Sequence, residues 1–394
     1  MRCIFRSCSA LWVVVLSSLF LVDAAGRCET AQQMTPLLLA VQDAPVPFKG
    51  SDGLVHLVYE LWLTNVSSGE ARVEEVEVSG DGGVLQKLDS SAVSHRLQPA
   101  GLRESSGVLA KGSVSELFLN VVLPAGTAIP KQLSHKIKAH FDAAPPGSQD
   151  FAESGGVTVP DRQPVAQIGA PLRGDRYVSA DSCCDATRHT RAALPINGRV
   201  YVAQRYAVDW EQMDEKGRIY SGPREKLESY TIFGKPVYSV ANGVVAVVVT
   251  GQPEQVPGKY PTNISIEQAD GNSVIVDIGQ HHFALYAHMQ SESIRVRPGD
   301  RVTAGQVIGL VGNSGNSVAP HLHFHVMSSE LSLASNGLPY QIDEFKITGA
   351  TLGTKAFDEA EEKGEPITVT PVSPPRVVKD SLPLDQLIIS LTPR

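Results

Sequence analysis

The chain has 394 residues, 42% of them hydrophobic and 19% charged, with a net charge of −8 and an isoelectric point near 5.8. This acidity, without any basic run, argues against a nucleic-acid binder, because neutralising phosphates needs clustered lysine and arginine. A chain of this length suggests two or three domains.

Residues 1–24 read as a signal peptide. Arg2 and Arg6 precede an apolar run from Ala10 to Val22, and Val22-Asp23-Ala24 offers a small-residue cleavage site. The run is short for a membrane span and no second one follows, so no span is expected in the mature chain. Arg27 before Cys28 spoils a lipid-attachment site. A free, exported protein is expected, secreted or held in the periplasm or cell envelope, which is an oxidising compartment. Of five cysteines, Cys3 and Cys8 leave with the signal; one disulfide from Cys28 to Cys183 or Cys184 would then leave a spare thiol.

Residues 30–145 look all-β. Leu54 to Asn65, Val114 to Leu123 and His135 to Phe141 alternate in polarity between Gly, Pro, Ser and Asp turns, as in an immunoglobulin-like sandwich. No catalytic constellation stands out there, and a protein partner or a positioning role are both open. Residues 146–194 read as a linker, rich in Pro and Gly, that carries the vicinal cysteines and His189. Local spacing favours a disulfide-tied loop there over a metal site.

Residues 195–345 form a second, antiparallel β domain. Strands are expected over Arg199 to Asp209, Phe283 to Met289 and Val307 to Val311, with hairpins at Asn242-Gly243 and Asp270-Gly271-Asn272. The tail, 355–394, is acidic and then Pro-rich, the composition of a solvated, largely disordered extension.

The most informative stretch is Pro320-His321-Leu322-His323-Phe324-His325-Val326. Its alternation reads as a strand with one apolar face and one imidazole face. Neighbouring imidazoles on that face sit roughly 7 Å apart. One can hold a metal while the next reaches a water on it. Six of the 11 histidines fall between His281 and His325, which is not a surface scatter.

Val302-x-x-Gly305-Gln306-x-Ile308-Gly309-x-x-Gly312-Asn313-Ser314-Gly315-Asn316-Ser317, running into Pro320-His321-Leu322-His323-Phe324, resembles the lysostaphin/LytM-type zinc metallopeptidases of bacterial cell walls. Tyr286-Ala287-His288 resembles the Tyr-x-His segment of that family. The likeness covers about residues 195–330. It implies cleavage of peptidoglycan peptides by a zinc-activated water. By position, His323 and Asp209 would be zinc ligands, and His321 and His288 would position or deprotonate the water and stabilise the oxyanion. The alternative is a metal-free, degenerate LytM-like module that binds cell wall or regulates another hydrolase.

One departure stands out. The family has His four residues before the Asp, where this chain has Arg205. Guanidinium has no lone pair and cannot ligate zinc. Either Arg205 replaces the cation and pairs with Asp209, or it turns aside and another residue becomes the third ligand. His189 leads those surrogates, His325 is a ligand or a second contact behind His323, and His281 and His282 read as solvated turn residues.

Overall fold

The computed structural model describes residues 34–185 and 187–391; the expected signal peptide and Cys28 lie outside them. Strand length follows alternation closely near the start. Val55–Asn65 pairs residue for residue with Val114–Leu123, from Val55 opposite Leu123 to Thr64 opposite Val114. These two strands, with Leu37–Val41, Leu97–Pro99 and Phe48–Lys49, make one five-stranded sheet. A second holds Asp150–Thr158, Leu133–Phe141, Ala71–Gly80, Gly83–Asp89 and Val108–Leu109. Leu57, Leu61, Val76, Leu117 and Ile137 are buried in the core the two sheets share. The sandwich therefore runs past 145: Asp150–Thr158, expected as linker, pairs with Leu133–Phe141.

Most of the remaining strands build a twelve-stranded sheet, beside two small two-stranded ones. Its strands lie in the order Ala166–Ile168, Tyr340–Thr351, Leu387–Leu391, Gly174–Ala180, Val208–Gln212, Leu322–Met327, His282–Met289, Asn272–Gly279, Gly243–Val249, Arg301–Val302. Gly337–Leu338 and Val369–Ser381 pair off this path. The nearly all-β, antiparallel character expected for the second domain holds. Leu322, Phe324 and Val326 are fully buried, as the alternation of that strand requires.

Several local expectations are corrected. The tail is ordered: Thr354–Lys363 is a helix, and Val369–Ser381 and Leu387–Leu391 are strands. Arg199 to Asp209 is not one strand but two, Arg199–Tyr201 and Val208–Gln212, separated by turns. Asn242-Gly243 closes no hairpin, because Pro236–Tyr238 pairs with Val307–Leu310 instead. Ile266–Gln268, ahead of Asp270-Gly271, is a single 3-10 turn rather than a strand. Cys183 is bonded to Cys184 itself. From Leu37 onward the chain forms one compact unit, with ion pairs and backbone bridges joining the sandwich to the large sheet.

Candidate metal centre

Three strands of the large sheet set up the centre. In register, Ala180, Asp209, His323 and Ala287 form one row across four neighbouring strands. Partners in such a row share a face. The two alanines at its ends leave space on either side of the carboxylate and the imidazole. Asp209 Oδ1 lies 2.9 Å from His323 Nδ1.

His288 follows Ala287 at a register shift between the Asn272–Met289 and Val274–Tyr286 pairs. Its φ of 57° is in the left-handed region, which a non-glycine residue adopts only where its surroundings impose it. They do. Its N–H donates to Asp270 O at 2.9 Å and its carbonyl accepts from Gly312 N at 3.1 Å. The bulge turns the imidazole onto the His323 face, its ring centre 4.7 Å from that of His321 and 5.8 Å from that of His323.

His189 arrives from outside the matched strands. Ser182 Oγ donates to Pro383 O at 2.7 Å, Asp385 N to Cys183 O at 3.1 Å, and Arg188 to Asp181 at 2.7 Å. So pinned, the loop brings His189 Nε2 to 3.4 Å from Asp209 Oδ2, with its ring 4.9 Å from that of His323. Among the described residues, His189, Asp209 and His323 are the one set whose donor atoms all lie within 4.8 Å.

Backbone carbonyls fix the tautomers. A ring nitrogen within hydrogen-bond reach of a carbonyl must carry the proton, which leaves the other nitrogen its lone pair. His189 Nδ1 donates to Asp181 O at 2.8 Å, His288 Nδ1 to Ser314 O at 2.8 Å and His321 Nδ1 to Ala319 O at 2.8 Å. In each neutral ring Nε2 is therefore the basic atom. His321 Nε2 sits 3.4 Å from Asp209 Oδ1. On the far side His323 Nε2 and His325 Nδ1 are 3.0 Å apart, and the buried Nε2 of His325 has no partner.

The charges are tightly balanced. Burial works against an ionised Asp209, but His189 and His321 outweigh it and hold the carboxyl well below its usual range. Burial likewise opposes charge on His189, yet Asp209 and then Asp181 raise it to about 9. His288 and His325 are pushed well below the ordinary imidazole value, by burial first and then by neighbouring histidines.

Arg205 is not at the centre. The expectation that it replaces the cation and pairs with Asp209 is corrected. The Asp209 strand begins only at Val208, and Arg205 lies in the preceding turn. Its Nε and Nη2 donate to Glu60 of the sandwich at 2.9 and 2.7 Å. His281 sits at a hairpin turn with φ 59°, whereas His282, expected in solvent, is buried. Two residues escaped the sequence reading. Glu211, two positions after Asp209 on the same strand face, was legible from that spacing; Glu361, on the C-terminal helix, was not.

Residues 229–335 match Peptidase family M23. The likeness to lysostaphin-type enzymes holds in the comparisons. The chain is 27% identical over 183 residues to the peptidoglycan DD-endopeptidase ShyA of Vibrio cholerae, covering 41% of this chain and 37% of that protein. It is 40% identical over 73 residues to the glycyl-glycine endopeptidase ALE-1 of Staphylococcus capitis, 18% of this chain and 20% of the relative. The matched parts thus span well under half of either relative. Among solved structures, the lysostaphin catalytic domain of Staphylococcus simulans aligns at 22% identity over 41% of this chain and 88% of that one, with a TM-score of 0.23. A zinc-containing peptidase from Vibrio cholerae aligns at 18% over 74% of this chain and 81% of that one, with a TM-score of 0.20.

Proposed function

We propose that the protein is a zinc metallo-endopeptidase that cleaves peptide bonds in peptidoglycan, exported to the periplasm or cell envelope. The observation that carries this reading is the convergence of His189, Asp209 and His323 within 4.8 Å, flanked by His321 and His288. Two imidazoles and one carboxylate are the donor types of a catalytic zinc site, which keeps its fourth position open. Their separations, 2.9 Å from His323 Nδ1 to Asp209 and 3.4 Å from His189 Nε2, suit atoms that share one ion with bonds of about 2 Å. Zinc bound there would lower the pKa of a coordinated water and polarise the scissile carbonyl.

The remaining work falls to protein groups. His321, its Nδ1–H held by Ala319 O, offers Nε2 to take a proton from the attacking water. Once protonated it is stabilised by the Asp209 carboxylate 3.4 Å away. His288, with Nδ1–H donating to Ser314 O, presents its Nε2 lone pair towards the same space, where it would accept a hydrogen bond from the attacking water and position it. His325 accepts from His323 Nε2–H and so fixes the ring that offers Nδ1 to the metal.

The metal-free alternative drew its support from an arginine directed at Asp209, and Arg205 instead pairs with Glu60. For the sandwich we propose an anchoring role through that pair. The test is metal content by mass spectrometry on untagged protein, followed by release of soluble fragments from purified peptidoglycan. About one zinc per chain, with cleavage lost in His323→Ala, is the expected result. No zinc after reconstitution would overturn the reading.

A further inference from the structure

The Asp209 face of the sheet continues past the metal centre. Glu211 lies two residues along the same strand, so its side chain falls on the same face, opposite Val178 in register. It is 8% exposed, and its Oε2 has no hydrogen-bond partner among the described residues. A buried carboxyl in this state is costly unless a cation or donor joins it.

The helix Thr354–Lys363 roofs this part of the sheet. Phe357 is buried in a cluster with Val178, Ala180 and Ile388, and Ala319, whose carbonyl holds His321, packs against it. Glu361 is one helical turn after Phe357, so the two share the face turned to the sheet. Arg188, next to His189, fastens the helix through Asp358 at 2.5 Å and the His189 loop through Asp181 at 2.7 Å. The charged groups facing Glu361 are Asp358, Arg224, His321 and Arg188. Burial apart, Glu361 is the charge that acts most strongly on Glu211, so the two carboxyls are neighbours beneath the helix, and His321 acts on Glu361 in turn.

We propose that Glu211 and Glu361 form a carboxyl pair that binds the primary ammonium group of a peptide substrate next to the bond being cleaved. It rests on the peptidase reading of the Asp209 centre and adds a specificity determinant to it. An ammonium suits the pair better than a second metal ion. Its three donors satisfy two carboxyls without the tight three-ligand spacing that a metal demands. Only the His189 set has that spacing among the described residues. Asp209, two residues before Glu211, keeps 18% of its side chain exposed, so solvent reaches this face of the sheet at the centre.

The test uses the full zinc-loaded chain and two probes: a synthetic lysine-containing stem peptide, and the same peptide acetylated on the lysine Nε. Calorimetry should give at least about tenfold weaker binding for the acetylated form. Glu361→Gln and, separately, Glu211→Gln should weaken the free-amine peptide to that level and leave the acetylated one unchanged. Glu361 is only half-buried, on a helix that lies over the sheet, so its variant keeps the test alive if Glu211→Gln unfolds. Equal affinity for both peptides, no binding of either, or discrimination that survives both substitutions would overturn the inference. Peptidoglycan cleavage measured in parallel separates the two readings. Cleavage without amine discrimination sinks only the carboxyl pair, and absent cleavage sinks the peptidase.

Discussion

Arg205 and Glu60 are joined by a bidentate ion pair, both side chains almost wholly buried, that ties the large sheet to the sandwich. The arginine stands four residues before Asp209, where the lysostaphin resemblance puts a zinc ligand. In this chain the residue there points away from the centre and pairs with the sandwich instead. Truncating one partner of a buried pair strands the other charge, so Arg205→Ala should destabilise the chain by about 3–5 kcal/mol. Zinc content should stay near one per chain. Chemical denaturation and metal analysis on the same sample check both parts.

His189→Ala should do the reverse. It removes a donor whose lone pair is aimed at the centre by the Asp181 carbonyl. Zinc affinity is expected to fall by at least about 100-fold, since even residues that merely orient ligands are worth 10–100-fold. Competition with a chromogenic chelator gives the number. Unchanged affinity would remove His189 from the ligand set.

His321→Gln should leave zinc bound while peptide hydrolysis falls roughly 10²–10⁴-fold, the usual contribution of a general base. Glutamine can keep a hydrogen bond to Ala319 O but takes up no proton. A variant that retains most activity would transfer the proton-accepting role elsewhere, with His288 as the remaining imidazole of that cleft.

Glu116 belongs to the Glu60–Arg205 neighbourhood. Burial, then the Glu60 charge, raises its carboxyl to about 7 against the opposing pull of Arg205. A carboxyl raised on folding contributes its full stability below its unfolded value near 4.5 and loses it as pH climbs through about 7. At 1.36 kcal/mol per unit, the part of this loss that falls between pH 5 and pH 8 is about 2–3 kcal/mol. Denaturation at pH 5 and pH 8 should give this fall in wild type and a flatter profile in Glu116→Gln.

The imidazole strand was legible because period-two alternation survives in sequence: Leu322, Phe324 and Val326 go to the core, and His323 and His325 to the site. His189 was only one surrogate among several, because what brings it in is the anchoring of its loop by Pro383 and Asp385, some two hundred residues on. The tail misled by composition. Its Pro371, Pro374 and Pro375 sit in Val369–Ser381, which pairs on one side only, with Tyr340–Thr351, so missing N–H groups do no harm there. Leu387-Ile388-Ile389-Ser390-Leu391 had the apolar content of an interior strand, hidden behind that stretch. The Arg205 pairing had no sequence signal, since Glu60 lies 145 residues away.

That interior strand decides when the molecule can fold. Leu387–Leu391 lies between Tyr340–Thr351 and Gly174–Ala180, and the Asp209 strand is next in line. Until these late residues are available, the sheet is split in two, with raw edges on either side of the gap. Closing it joins segments more than two hundred residues apart, which is slow by nature. The carboxylate of the centre would therefore acquire its full backing only once Leu387–Leu391 has paired on both sides.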